Sequence, residues 1–292
     1  MFPELFHLGP ITVHSYGAML ALGFLGGAWL LRRQLRRVAL PEDLADRVAI
    51  AGMAGGIVGA KLYFIIVEAP EDFAREPITM LFSGAGLTFY GGLLGAILLI
   101  WWVVRRAKVP VLVVADLIGP ILVLGYACGR GGCFLSGDGD YGPPTDLPWG
   151  MSFPNGTVPT TIPVHPTPLY EIALCLVGFS ILWFWLRKKS LPTGVMTGAT
   201  LVVVGIERFV TEFWRLDSGV LASWLFHYNV LGTPQEHSAF DAAVAAHYSH
   251  GGLSIAQWIS LGLILLGGVI LFLRRKATGT PAKQERVPAG RA

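Results

Sequence analysis

The chain has 292 residues, of which 53% are hydrophobic and only 14% charged, with a formal net charge of +3 at neutral pH. A soluble domain carries about 25% charged residues, so the composition excludes an ordinary soluble globular protein. The apolar surplus falls in long blocks, which marks a membrane protein, and so small a net charge gives no reason to expect a nucleic-acid partner.

Seven such blocks lie at about 12–31, 48–67, 87–104, 111–128, 169–186, 195–213 and 255–273. Each is long enough, at ~1.5 Å per helical residue, to cross a ~30 Å hydrocarbon core. The expected fold is therefore all-α: seven transmembrane helices in one membrane domain, residues 1–276, followed by a polar, disordered tail at 277–292. Basic residues set the orientation. Arg32, Arg33, Arg36, Arg37 and Arg47, then Arg105, Arg106 and Lys108, then Arg187, Lys188 and Lys189, and finally six residues from Arg274 to Arg291 all fall on one side of a seven-span path. The N-terminus is thus expected outside and the C-terminus in the cytoplasm. No basic run precedes the first block, and Glu4 does, so it reads as a retained anchor and not a cleavable signal. Outer loops are expected at 130–168 and 216–252.

The second helix reads AGMAGGIVGAK, where Gly52/Gly56 and Gly55/Gly59 give the small-xxx-small spacing of closely packed membrane helices. The third begins GLTFYGGLLG. Its Tyr90 is either an interfacial tyrosine or a hydroxyl aimed at a headgroup where Gly91 and Gly92 let backbones approach. His14 and Tyr16 stand at the same level on the first helix. Arg130 closes the fourth block, where a charge needs a partner or a task, and a glycine-rich acidic loop follows it. His165 and Glu171 open the fifth.

The sixth helix ends GIERFVTEFWR. Arg208 and Glu212 are four residues apart and share a face. They form either an internal pair that fixes helix packing or an arginine held ready for an anionic ligand, because a guanidinium fork can grip two phosphate oxygens. Arg130 and Arg208 together suit the phosphate of an outer-leaflet lipid. Cys128, Cys133 and Cys175 have no metal-type spacing, and a Cys128–Cys133 disulfide remains possible. The four histidines of 216–252 are too irregularly spaced for a metal site. No cofactor is expected.

These motifs, LGPITVHSYG, FYGGLLG, ADLIGP, GRGGCFLSGDGDYG, HPTPLYE, RFVTEFWR and LSIAQW, occur in this order along nearly the whole chain. In that pattern the chain resembles the prolipoprotein diacylglyceryl transferases, seven-helix enzymes of the bacterial inner membrane. The resemblance implies transfer of the diacylglyceryl group of phosphatidylglycerol to the thiol of a lipobox cysteine in a prolipoprotein signal peptide, with release of glycerol phosphate and with membrane lipids as surroundings. It makes Arg130 the signature arginine and Arg208 with Glu212 the essential pair, with Tyr16 in the first-helix motif. The sequence departs from the family at Tyr90, where histidine is usual, at Cys133 and Ser136, where asparagines are usual, and at Asp138, usually glutamate. The signature's last glycine is shifted to Gly142, and the connection 216–252 is longer than usual.

As chemistry, the implied step needs a thiolate and a stabilised phosphate leaving group. Arg130 and Arg208 serve the second need, and nearby positive charge also lowers a thiol pKa. The base remains open among His14, His165, Asp138 and Glu212, with Tyr90 acting through a hydrogen bond. Competing readings are a membrane transporter or channel, and a family member with a different acceptor or without activity.

Overall fold

The computed structural model describes residues 1–9, 11–82, 88–215 and 253–275. The chain opens with a short antiparallel hairpin, β1 (Glu4–Leu8) and β2 (Ile11–His14), before the first helix, α1 (Ser15–Arg37). Then follow α2 (Leu44–Tyr63), the short α3 (Pro70–Arg75) and α4 (Pro77–Phe82), α5 (Phe89–Arg106) and α6 (Val111–Ser136). A second hairpin, β3 (Met151–Phe153) and β4 (Thr160–Val164), precedes α7 (Thr167–Ser180), α8 (Val195–Thr211) and α9 (Ile255–Arg274).

The structure is mostly helical. Five helical stretches among the described residues are long and apolar enough to cross a membrane: Leu44–Glu68, Phe89–Arg106, Val111–Ser136, Thr167–Lys188 and Ile255–Arg274. The helices α1 and α8 coincide with the first and sixth expected spans without joining these five. Four arginines crowd the last six residues of α1, and α8 stops after 17 residues. In Phe89–Arg106 only 11% of the apolar window is buried within the protein. The outward side chains Leu93, Leu94, Ile97 and Leu98 therefore need an apolar solvent, which a bilayer supplies.

Two details absent from the sequence reading matter for the site. The helical frame carries two short hairpins. Arg130 was also expected at a helix end, yet α6 runs a turn and a half further. No side chain between 130 and 136 breaks a helix. The stop comes at Gly137, whose φ of +61° is a left-handed C-terminal cap, with its N–H donating to the Cys133 carbonyl at 2.9 Å. The connection expected at 130–168 thus starts at 137 and is ordered, built on a small core of Tyr141, Phe153 and Val164, each fully buried. The expected loop 216–252 and tail 277–292 lie outside the described residues.

The chain forms two compact units. In the unit of residues 27–118, α2 and α5 meet through glycine. A Cβ on Gly95 would lie 2.2 Å from the Gly55 carbonyl oxygen, and one on Gly91 would lie 2.5 Å from that of Gly59. The glycines expected to allow close packing do so by leaving room for backbone against backbone. The other unit combines residues 1–26 with the described residues of 119–275, and it holds the charged cluster.

Candidate active site

Four helix ends converge in that unit. From α6 comes Arg130, from the first turns of α7 comes Glu171, from the C-terminal end of α8 come Arg208 and Glu212, and Ser254 is the N-cap of α9. Ser254 and Gln257 form a reciprocal capping box, so the start of α9 is locally encoded. The same Ser254 hydroxyl donates to Glu212 Oε1 at 2.9 Å, which ties α9 to the end of α8.

Glu171 is the hub. It is 1% exposed, and three guanidiniums reach it. Arg130 Nε lies 2.9 Å from Oε2, Arg208 Nη1 3.4 Å from Oε1, and Arg215 Nη1 3.3 Å from Oε1. The Tyr126 hydroxyl adds a bond to Oε1 at 3.2 Å, and the Tyr126 ring packs under the Arg130 guanidinium. A second carboxylate, Asp140, bridges Arg130 and Arg215. Its Oδ1 accepts from Arg215 Nη2 at 2.7 Å and its Oδ2 from Arg130 Nη1. The expected i, i+4 pair also forms, with Arg208 Nη2 2.7 Å from Glu212 Oε2. Three guanidiniums thus face three carboxylates, and burial of so many charges is tolerable only because each is paired.

The structure gathers most of the residues singled out in the sequence. Asp138 Oδ1 accepts from the Asp140 amide at 3.3 Å, so this carboxylate shapes the turn that presents Asp140. Cys133 is buried, with Sγ 3.7 Å from Arg130 Nη1, and all three cysteines are free thiols. Cys133, Asp138 and Asp140 bring possible metal-ligand atoms within 4.8 Å of one another. Both Asp140 oxygens are already on guanidiniums, which fits a metal cation poorly. The Ser136 hydroxyl bonds to the Cys133 carbonyl of its own helix, and the Ser136 carbonyl takes both the amide and the hydroxyl of Thr157. These bonds tie Thr157 to the C-terminal end of α6.

Tyr16 packs against the glycine signature: a Cβ on Gly132 would lie 3.0 Å from its ring. His165 Nδ1 is 3.1 Å from the Tyr170 hydroxyl, whose oxygen also accepts from Trp149 Nε1 at 2.9 Å. Only Nε2 of His165 is left for a ligand, and burial holds the imidazole below its usual pKa, hence neutral at pH 7. His14 is exposed in the hairpin, opposite Glu4. Tyr90, Gly91 and Gly92 open α5 in the other compact unit, where Tyr90 is half exposed and stacked edge-on to Phe89.

Three members of the cluster were not singled out in the sequence: Tyr126, Asp140 and Arg215. Tyr126 lies one helical turn before Arg130, on the arginine's own face, and could have been read. Arg215 lies past the end of α8 in extended backbone, so helical spacing from Arg208 does not place it. Asp140 could not be read either, because a Gly-Asp-Gly-Asp run does not say which carboxylate pairs with the arginines.

An apolar helical protein with a buried arginine–carboxylate cluster at the ends of four helices is the class that fold and site define. The chain belongs to the prolipoprotein diacylglyceryl transferase family, whose model matches residues 3–273. Relatives bearing the name phosphatidylglycerol–prolipoprotein diacylglyceryl transferase include one from Pseudomonas fluorescens, 37% identical over 266 residues that cover 87% of this chain and 97% of the relative. Those from Bordetella avium and Pseudoalteromonas atlantica are 32% and 31% identical and cover 93% and 98% of this chain, and 93% and 96% of their own lengths.

Proposed function

We propose that this chain transfers the diacylglyceryl group of phosphatidylglycerol to the cysteine thiol of a prolipoprotein. Full-length likeness to relatives of that name supports the reaction. The observation that carries the site is the joining of Arg130, Arg208 and Arg215 on one buried carboxylate, Glu171. Each guanidinium has five N–H donors, and the carboxylate pairs hold the three forks in place before a phosphate arrives. Such preorganised donors stabilise negative charge as it develops.

In the reaction the thiol sulfur attacks the glycerol carbon that bears the phosphate ester oxygen. The new S–C bond forms as the C–O bond breaks. The bonding pair leaves with glycerol phosphate, and the thiol proton passes to a base or to water. The arginines meet the phosphate and lower the thiol pKa by their charge. Glu212 is a poor candidate base, because Arg208 and Ser254 occupy its oxygens. His165, neutral and with Nε2 available, remains a candidate, as do His14 and Asp138, with Tyr90 acting through a hydrogen bond.

The membrane arrangement belongs to the same proposal: a multi-pass protein of the bacterial inner membrane, with α1 and α8 completing seven spans, N-terminus outside and C-terminus cytoplasmic. Its domain is residues 1–276, and the lipobox-bearing signal peptide reaches the site within the membrane. The basic ends of α1, α5 and α9 support this orientation. The test is rescue of a bacterium depleted of its own transferase, with mass spectrometry of a lipobox cysteine. Arg130→Ala and Arg208→Ala should each abolish the added diacylglyceryl mass at normal expression. Near wild-type transfer in both would remove the phosphate role.

A further inference from the structure

Asp140 lies where an anion of the proposed chemistry would lie. One carboxylate spans two guanidiniums, an oxygen on each, and a phosphodiester presents its two non-bridging oxygens to an arginine pair in the same way. We propose that Asp140 is a specificity-determining residue that occupies the lipid phosphate site between Arg130 and Arg215 and yields it to the phosphate of the incoming lipid. The proposal rests on the phosphate-site reading above and adds to it which carboxylate the lipid displaces.

Burial separates the two bridging acids. Glu171 is 1% exposed on a helix, whereas the Asp140 side chain is 14% exposed on a loop. Its backbone is pinned. The Asp140 carbonyl accepts from the Thr167 hydroxyl at 2.5 Å, and its amide donates to Asp138. The next residue, Tyr141, is wholly buried. Gly137 and Gly139, at φ of +61° and +95°, fix the turn before it. Exchange therefore needs only rotation of a short side chain, with no movement of the loop.

Charge balance points the same way. With Asp140 in place the ion pairs set three guanidiniums against three carboxylates, and Asp138 and the buried Glu207 stand close by, so the site has no positive charge to spare for a phosphate. Turning Asp140 out removes one negative charge from between Arg130 and Arg215, the same charge that a phosphodiester brings. A competing internal anion raises the apparent dissociation constant to the intrinsic value divided by the fraction of time that it leaves the site free.

The experiment uses the full-length protein in mixed micelles, with phosphatidylglycerol as donor and glycerol phosphate as product inhibitor. Asp140→Asn should lower KM for phosphatidylglycerol by about five- to tenfold and tighten inhibition by glycerol phosphate by a similar factor. Asp140→Glu, which keeps the competing charge, should stay within about twofold of the unaltered chain. An unchanged or raised KM in Asp140→Asn would overturn the proposal. If Asp140→Asn does not fold, Asp140→Ser carries the same expectation, and failure of both to fold would make the carboxylate a structural brace and end the idea. Arg130→Ala, run alongside, separates the two readings. Its loss of transfer beside a raised KM in Asp140→Asn removes only the exchange, whereas near wild-type transfer in Arg130→Ala removes the phosphate site itself.

Discussion

Glu171 holds Arg130 at 2.9 Å through Nε and is itself almost wholly buried. The pair links α6 to α7, and it fixes the guanidinium edge that the remaining donors extend from. Removing the carboxylate leaves buried arginines without their shared partner, and breaking a buried pair costs about 3–5 kcal/mol. Glu171→Ala should therefore lower the thermal midpoint in detergent strongly and abolish transfer. Glu171→Gln, which keeps an acceptor oxygen and the shape, should fall between. Equal stability of all three chains would show that the hub is not structural.

Arg208 uses separate nitrogens for Glu171 and Glu212. Lysine offers a single point charge and cannot span both. Arg208→Lys is expected to lower kcat/KM for phosphatidylglycerol by at least about tenfold, that is, by about 1.4 kcal/mol or more of transition-state binding. Glu212→Gln should cost less, since the Ser254 bond survives in part. Steady-state kinetics on purified variants decide the order.

By the resemblance drawn from the sequence, Tyr90 falls at a position where histidine is expected. A free tyrosine titrates near pH 10 and is a weak base at neutral pH. If the position serves the usual histidine role, Tyr90→His should transfer as well as the unaltered chain or better, most clearly below pH 8. Loss of transfer in a well-folded Tyr90→His protein would show that the positions are not equivalent.

Gly142 has no room for a methyl group. A Cβ there would sit 2.1 Å from the Trp214 carbonyl oxygen and 2.7 Å from His165 Cβ. The first of these is backbone and cannot rotate away. Gly142→Ala should displace the Trp214 backbone, beside Arg215, and so reduce transfer as well as stability, whereas Gly26→Ala, with open space around it, should be neutral. Limited proteolysis and the transfer assay together measure both effects.

Burial lowers the pKa of His165, so the unfolded chain, with an imidazole near 6.5, takes up a proton before the folded one does. The sign follows: this histidine lowers stability as pH falls below about 6.5, and has no effect well above it. His165→Gln should make the decline of the thermal midpoint between pH 7 and 5 shallower. An identical slope in both chains would rule the contribution out.

The residue order carried much of this. Apolar block lengths predicted helices in the right places, because hydropathy and helical rise are local properties. The Arg208–Glu212 pair was readable for the same reason, being set by one helix's own geometry. So was the glycine groove of α2, since glycine at four-residue spacing leaves a groove on any helix, though that α5 fills it came only from the fold. By contrast, Arg130 looked like a helix terminus only because the apolar run stopped there. Helix continuation depends on backbone bonds, and these run on to Gly137.

What the sequence by itself determined was the membrane character, the helical segments and the two arginines. Only the tertiary structure decided that these arginines are already neutralised, that Arg215 joins them, and that Asp140 rather than Asp138 pairs with them. Those facts depend on which side chains from α6, α7, α8 and the 137–142 turn share one buried volume. Ion pairing falls off within a few ångströms and ignores sequence separation, so it becomes visible only once the chain is folded.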